Sequence, residues 1–295
     1  PTDDSIYEGD ETAIVSISDV TGGSATESGS QSVTLTITEN ESAPTVTLTT
    51  SASSIAENAG SALTLTATLS GTTDENVTVS ISTSGTGTEG TDYATISDIT
   101  ITAGNTTGTT SFTPSDDSIY EGNETGIVAI SSVSGGSATE SGSQSVTITI
   151  SENESTPTVT LATSASSIAE NAGSALTLTA TLSLATTATV TVSISTSGTG
   201  TEGTDYATIS DITISAGDTT GTASFTPTDD ASDPVYEENE TAVVAISGVS
   251  GGSAAESGSQ SVTITITENE SAPTVSLASN ASSIAENAGS SLTLT

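Results

Sequence analysis

The chain has 295 residues, 37 of them Asp or Glu, and contains no Lys, Arg, His, Cys, Met or Trp, so its formal net charge is -37. Nucleic acids and anionic membrane surfaces are poor partners for such a chain, since both are held by Lys and Arg. Catalysis at neutral pH is left with carboxylates and five Tyr, which cannot build most catalytic constellations, and without Cys or Lys there is no disulfide, thiolate metal site or isopeptide crosslink.

Apolar residues alternate with Thr and Ser at period two, the pattern of a strand with one buried face. In chain order the runs are Leu63, Leu65, Ala67 and Leu69; Val77, Val79 and Ile81; Ile99 and Ile101; the stretch around Phe112; Ile127 to Val133; and Val146, Ile148 and Ile150. Turn residues separate them at Gly71-Thr72-Thr73-Asp74, Ala103-Gly104-Asn105 and Gly135-Gly136-Ser137. About seven short strands in this span predict an all-β sandwich. Its apolar face is built from small aliphatics with one Phe per unit, so the core is thin and gains from extra ties. The segment holds no apolar run long enough to span a membrane and no leader-like start.

The segment Ser54-Ile55-Ala56-Glu57-Asn58-Ala59-Gly60 returns 113 residues later at Ser167 to Gly173, and 116 residues after that at Ser283 to Gly289. The longer spacing comes from a three-residue insertion between Asp230 and Glu237, where Asp116-Asp117-Ser118-Ile119-Tyr120-Glu121 becomes Asp229-Asp230-Ala231-Ser232-Asp233-Pro234-Val235-Tyr236-Glu237, as expected of a loop. Boundaries at Pro44, Pro157 and Pro273 give four pieces: residues 1–43 as the back of a repeat, 44–156 and 157–272 as whole repeats, and 273–295 as the front of another. Such a chain reads as the interior of a longer repetitive one.

Acids gather at three places in the first whole repeat: Glu57 near its start, Asp116, Asp117, Glu121 and Glu124 in one loop, and Glu152 and Glu154 at the exit of the last strand. In a Greek-key sandwich these places can all lie at one end, which would concentrate about seven carboxylates there. Such a cluster is repulsive without a cation, and its all-oxygen donor set suits calcium better than magnesium. The loop pattern recurs as Asp3, Asp4, Glu8 and Glu11 and as Asp229, Asp230, Glu237 and Glu240. Neither an EF-hand loop nor a calcium-binding nonapeptide is present.

The ordered combination Ile55-Ala56-Glu57-Asn58-Ala59-Gly60, Gly87-Thr88-Glu89-Gly90-Thr91-Asp92-Tyr93, Asp116-Asp117-Ser118-Ile119-Tyr120-Glu121-Gly122-Asn123-Glu124 and Thr149-Ile150-Ser151-Glu152-Asn153-Glu154 resembles the Calx-β domain. That resemblance implies tandem immunoglobulin-like sandwiches with Ca2+ at one tip. It implies as ligands the acids above and the backbone carbonyl of Ile119. In the other copies the corresponding positions are Ile6, Glu39 and Glu41; Glu170, Val235, Glu268 and Glu270; and Glu286. Glu152-Asn153-Glu154 departs from the unbroken acidic triplet of the family's calcium sensors, implying fewer or weaker ions. Asp92-Tyr93 is expected to fix a turn, with the Tyr hydroxyl tied to backbone.

Only Ser155-Thr156 separates Glu154 from Pro157, so calcium at these junctions is expected to fix each repeat against its neighbour. The resulting expectation is a non-catalytic, extracellular or cell-surface array forming a stalk, fibre or filament. Its partners are neighbouring repeats of the same chain and identical chains in a filament. The alternative is an adhesion or carbohydrate-binding module, which exposed aromatics would favour.

Overall fold

The computed structural model describes residues 1–229 and 236–295, which divide into two compact units, Pro1–Ser155 and Thr156–Thr295. No helix occurs among the described residues.

In the first unit, residues 1–43 contribute β1 (Ile6–Tyr7), β2 (Glu11–Ser16) and β3 (Ser32–Ile37). The last two pair as an antiparallel hairpin, from Glu11 opposite Ile37 to Ser16 opposite Ser32. Its apolar residues Ile14, Val15, Val33 and Leu35 are exposed, because no second layer covers them.

From Thr45 onward a complete sandwich forms, comprising β4 (Thr45–Thr50), β5 (Ser54–Ala56), β6 (Leu63–Leu69), β7 (Thr72–Thr73), β8 (Val77–Gly85), β9 (Ile99–Ile101), β10 (Thr107–Phe112), β11 (Glu124–Ser134), β12 (Thr139–Glu140) and β13 (Ser145–Ser151). One sheet has the order β10-β6-β4-β12, the other β5-β13-β11-β8-β9. The opening stretch of the repeat therefore contributes to both sheets, which the alternation pattern did not disclose. β4 pairs in parallel with β12, and β5 in parallel with β13.

Inward residues of both sheets form a single core. Val46, Leu65 and Ala67 meet Val77, Val79, Val128 and Ile148, while Phe112 stacks on the buried Tyr93 with ring centroids 4.7 Å apart. Gly126 lies beneath that pair, and a Cβ there would stand 2.8 Å from the Phe112 ring. The second repeat carries Ala242 at this position, and its Tyr206 and Phe225 rings sit 4.9 Å apart. A methyl group is thus accommodated by a slight opening of the stack. The Tyr93 hydroxyl bonds the Thr83 side chain, not the backbone as the sequence suggested.

The second unit repeats this plan over Thr158–Thr267, with strand orders matching those of the first sandwich. Its core includes Val159, Leu178, Val192, Ile212, Val244 and Ile264. In residues 273–295 a single bridge joins Ser279 to Leu294, and Val275 and Leu277 are exposed.

Candidate metal centre

Three backbone features bring the acids of residues 44–155 to one tip. The Glu57 N–H donates to the Ser151 carbonyl at 3.0 Å, continuing the β5–β13 ladder and placing Glu57 beside the chain exit at Glu152. Glu124 opens β11 opposite Ile150 of β13. Tyr93, anchored in the core and bridged to Pro114, carries Asp92 to the start of the long loop, where the Ser115 N–H donates to the Asp92 carbonyl at 2.9 Å.

Glu152 organises the tip. Its Oε2 accepts from the N–H groups of Glu121 and Gly122 at 2.7 and 2.8 Å, and its Oε1 from those of Asn153 and Glu154, both at 3.0 Å. The Glu152 N–H in turn donates to Asn123 Oδ1 at 3.0 Å. One carboxylate thereby ties the acidic loop to the exit of the last strand. Burial disfavours its charge, but the bond with the Glu154 side chain and the backbone donors prevail and hold its pKa at about 2.

Two carboxylate triads result. Oxygens of Glu57, Glu152 and Glu154 lie within 4.8 Å of one another, and so do those of Asp92, Glu121 and Glu124. Glu57, Glu121 and Glu124 are each pushed up to about 7, first by burial and then by neighbouring acids: Glu152 for Glu57, Asp92 for the other two. Glu154 is pushed up by its bond with the Glu152 side chain and by burial. Its Oε2 is enclosed and has no hydrogen-bond partner. A buried acceptor without a donor is costly and rare, whereas a divalent cation satisfies it at once. Carboxylate oxygens, in a chain without His or Cys, fit a hard ion of the calcium type.

The structure brings Glu57, Glu121, Glu124, Glu152 and Glu154 into these triads but leaves the Asp116 and Asp117 carboxylates outside them. Asp117 Oδ1 accepts the Ile119 N–H at 2.6 Å, while the Asp117 N–H donates to the Glu57 carboxylate. Asp116 acts on Glu154 only through its charge. Asp92, expected merely to fix a turn, joins the second triad as well as accepting the Thr88 N–H at 2.5 Å. Its signal in the sequence was the repeated Gly-Thr-Asp-Tyr, in which a core Tyr positions the residue before it.

In the second repeat the triads are Glu170, Glu268 and Glu270, and Asp205, Glu237 and Glu240. Glu240 is pushed up to about 7 by burial and then by Asp205 and Glu237. Glu268 is held at about 2, chiefly by the backbone N–H of Glu270 and then that of Glu237. Asp229 is exposed and outside both triads, while Asp230 and Val235 lie outside the described residues. In residues 1–43, Asp3, Asp4, Ile6, Glu8, Glu11, Glu39 and Glu41 line one cleft. There Glu39 is held at about 2, first by the Glu41 N–H and then by that of Glu8. Glu286 is exposed and apart from every carboxylate group found among the described residues.

These shifts set an expected pH profile without metal. Carboxyls raised above their ordinary 4.5 contribute stability below pH 4.5 that is lost as pH rises toward 7. Glu152 contributes stability above pH 4.5 that is lost as pH falls toward 2. The urea midpoint of the chelated protein should therefore peak near pH 4.5, and a midpoint that climbs steadily toward neutrality would contradict the carboxylate arrangement.

The chain belongs to the Calx-beta domain family, which matches residues 39–154 and 152–270. Among curated proteins, none matches the chain. Among solved structures it is similar to the CBD12 region of CALX1.2, at 15% identity and a TM-score of 0.33, over 69% of this chain and 80% of that one. It is also similar to invasin, a bacterial integrin-binding protein, at 20% identity and a TM-score of 0.36, over 85% of this chain and 45% of that one. The Yersinia pseudotuberculosis adhesin InvE gives 12% identity and a TM-score of 0.33, over 76% and 59% of the two chains.

Proposed function

We propose that this chain is a structural, calcium-binding repeat array that forms a stiff extracellular stalk, fibre or filament. The observation that carries the reading is the pair of carboxylate triads at the tip of each whole repeat, with the Glu154 Oε2 enclosed and unpaired in the first. Glu57 and, at the exit of the last strand, Glu152 and Glu154 would hold the ion, within a few residues of the next repeat. A filled site therefore fixes the point from which that repeat departs. Neighbouring repeats are the primary partners, and identical chains are the partners in a filament.

The reading is non-catalytic: Glu152 ties the acidic loop to the exit of the last strand through four backbone N–H groups. Carbohydrate recognition by stacking has little to work with: Tyr93 and Tyr206 are buried, and Tyr236 is only 37% exposed.

Small-angle scattering of the 295-residue chain tests the reading. The maximum dimension should be longer, and the spread of dimensions narrower, in millimolar calcium than in chelator. Identical profiles in the two media would sink the stiff array.

A further inference from the structure

The sequence holds eight Asn-x-Ser/Thr triplets, the acceptor pattern for N-linked sugars, and the structure sorts them by what each side chain already does. Five put their middle residue among the acids of the tips or of the 1–43 cleft, as Glu41, Glu124, Glu154, Glu240 and Glu270. There the Asn side chains hold the acidic loops: Asn123 Oδ1 accepts the Glu152 N–H at 3.0 Å, and Asn153 Nδ2 donates to Glu154 Oε1 at 2.9 Å. In Asn76-Val77-Thr78 the middle residue is a buried core side chain, and Thr78 sits inside the ladder between Thr100 and Ser134. In residues 273–295, Asn280 is tied to Thr293 through both its backbone N–H and its Oδ1.

The eighth triplet, Asn105-Thr106-Thr107, is exposed at all three positions. It leaves the turn between β9 and β10, in which the Asn105 N–H donates to the Thr102 carbonyl at 3.0 Å and Gly104 takes φ +76. The turn is fastened to the sandwich by the Gly104 N–H on the Thr73 carbonyl at 2.8 Å and by the Ala103 N–H on Asn76 Oδ1 at 2.9 Å. Asn105 Nδ2 donates to Thr102 Oγ1 at 2.6 Å. An N-linked sugar replaces one of the two amide hydrogens, so the other can keep that bond. The turn stands at the Val77 end of β8, whereas Gly87, just past the other end, lies against the Glu124 carboxylate. At about 3.3 Å per residue, β8 separates the two ends by roughly 25 Å. A sugar at Asn105 is therefore clear of the metal centre.

The second repeat shows that the turn itself does not call for an amide. Asp218 stands at the matching position, and its N–H donates to the Ser215 carbonyl at 3.0 Å. What the two residues share is their place at the start of a terminal strand: β10 is the outermost strand of its sheet, and Thr220–Phe225 is outermost in the second repeat. An outer strand offers unpaired backbone groups to other chains, and a charge or a bulky attachment there keeps them off. Asp218 supplies the charge; Asn105 supplies a point of attachment.

We propose that Asn105 is an N-glycosylation site whose sugar covers the start of the outer strand β10. The donor class is an oligosaccharide joined through a diphosphate to a membrane lipid, brought to the chain by a transferase. Asn105 Nδ2 forms a bond to the anomeric carbon as the bond from that carbon to the diphosphate oxygen breaks. The lipid diphosphate leaves with the bonding electron pair and takes up the amide proton. The inference rests on the extracellular reading above, which brings the chain to the side of the membrane where such donors are used.

The test is peptide mass mapping of the protein recovered from the surface or medium of the cells that make it. With no Lys or Arg in the chain, cleavage is made after Glu, and residues 90–121 then carry Asn105 and no other acceptor triplet. That peptide should exceed its sequence mass by one oligosaccharide, and peptide:N-glycosidase should remove the excess and leave Asp at position 105. The variant Asn105→Asp, which places the second repeat's residue at this turn, should lose the excess and melt as the parent chain does in both calcium and chelator. An unmodified peptide from protein outside the cell would overturn the proposal and leave the extracellular reading intact, and so would sugar carried at the acidic triplets instead. Unmodified protein confined to the cell interior would overturn both.

Discussion

Replacing Glu124 by Gln is expected to shift the melting temperature in opposite directions in the two media, upward in chelator and downward in calcium. Glu124 lies in a triad with Asp92 and Glu121, and its carboxyl is pushed up to about 7 by burial and by Asp92. Without metal, removing that charge relieves repulsion and should raise the transition by a few degrees, within the ±0.5 to 1 kcal/mol range of modest substitutions. With metal, the substitution deletes a ligand. Calcium at about 100 times its dissociation constant stabilises a one-site domain by roughly 2.7 kcal/mol, on the order of 10 °C for a domain of this size. Most of that increment should vanish in the variant. A variant that melts lower in both media would make Glu124 a packing residue, and one indifferent to calcium in a chain that otherwise responds would remove it from the site.

The second large effect concerns the backbone. Gly85 ends β8 at φ +123, where L side chains are rarely found, and a Cβ there would stand 2.1 Å from the Thr125 carbonyl oxygen. That oxygen also accepts the Gly87 N–H at 3.0 Å, so it cannot retreat without breaking the turn that leads to Asp92. Gly198 repeats the geometry, with φ +124 and the same 2.1 Å to Thr241. Gly85→Ala should therefore cost about 3 kcal/mol or more from strain and overpacking, read as a fall in the urea midpoint of the first sandwich. Gly126→Ala, only two residues from Glu124, should cost far less, since Ala242 occupies the matching position in the second repeat. Similar costs for the two substitutions would show that backbone conformation at Gly85 is not what constrains it.

Period-two alternation made the interior strands legible, because Leu65, Val79 and Ile148 each sit on a face that must be buried. β4 and β5 were less visible. Val46 and Leu48 offer only two inward residues on a short strand, and the split of the opening stretch between two sheets depends on parallel partners a hundred residues away. At the site, clustering along the chain found the acids that converge from the first strand, the long loop and the last strand. It could not separate Glu121, which joins a triad, from Asp117, which lies outside both triads and accepts the Ile119 N–H through Oδ1. Asp92 reads from the sequence as a turn residue, because its place beside Glu121 and Glu124 is set by Tyr93 stacking in the core, a tertiary event with no local charge pattern to announce it.

The parallel pairing of the opening and closing stretches has a mechanical consequence. Because β5 runs alongside β13 in the same direction, pulling the two ends of a repeat apart slides these strands past each other. Tension is then shared by the whole ladder at once, from the Thr149 N–H on the Ser53 carbonyl to the Glu57 N–H on the Ser151 carbonyl. Glu57 stands at one end of that shear plane and Glu152 and Glu154 at the other side of it. An ion held between them would be a rivet across the seam that carries the load, and its removal would weaken the repeat where traction is greatest.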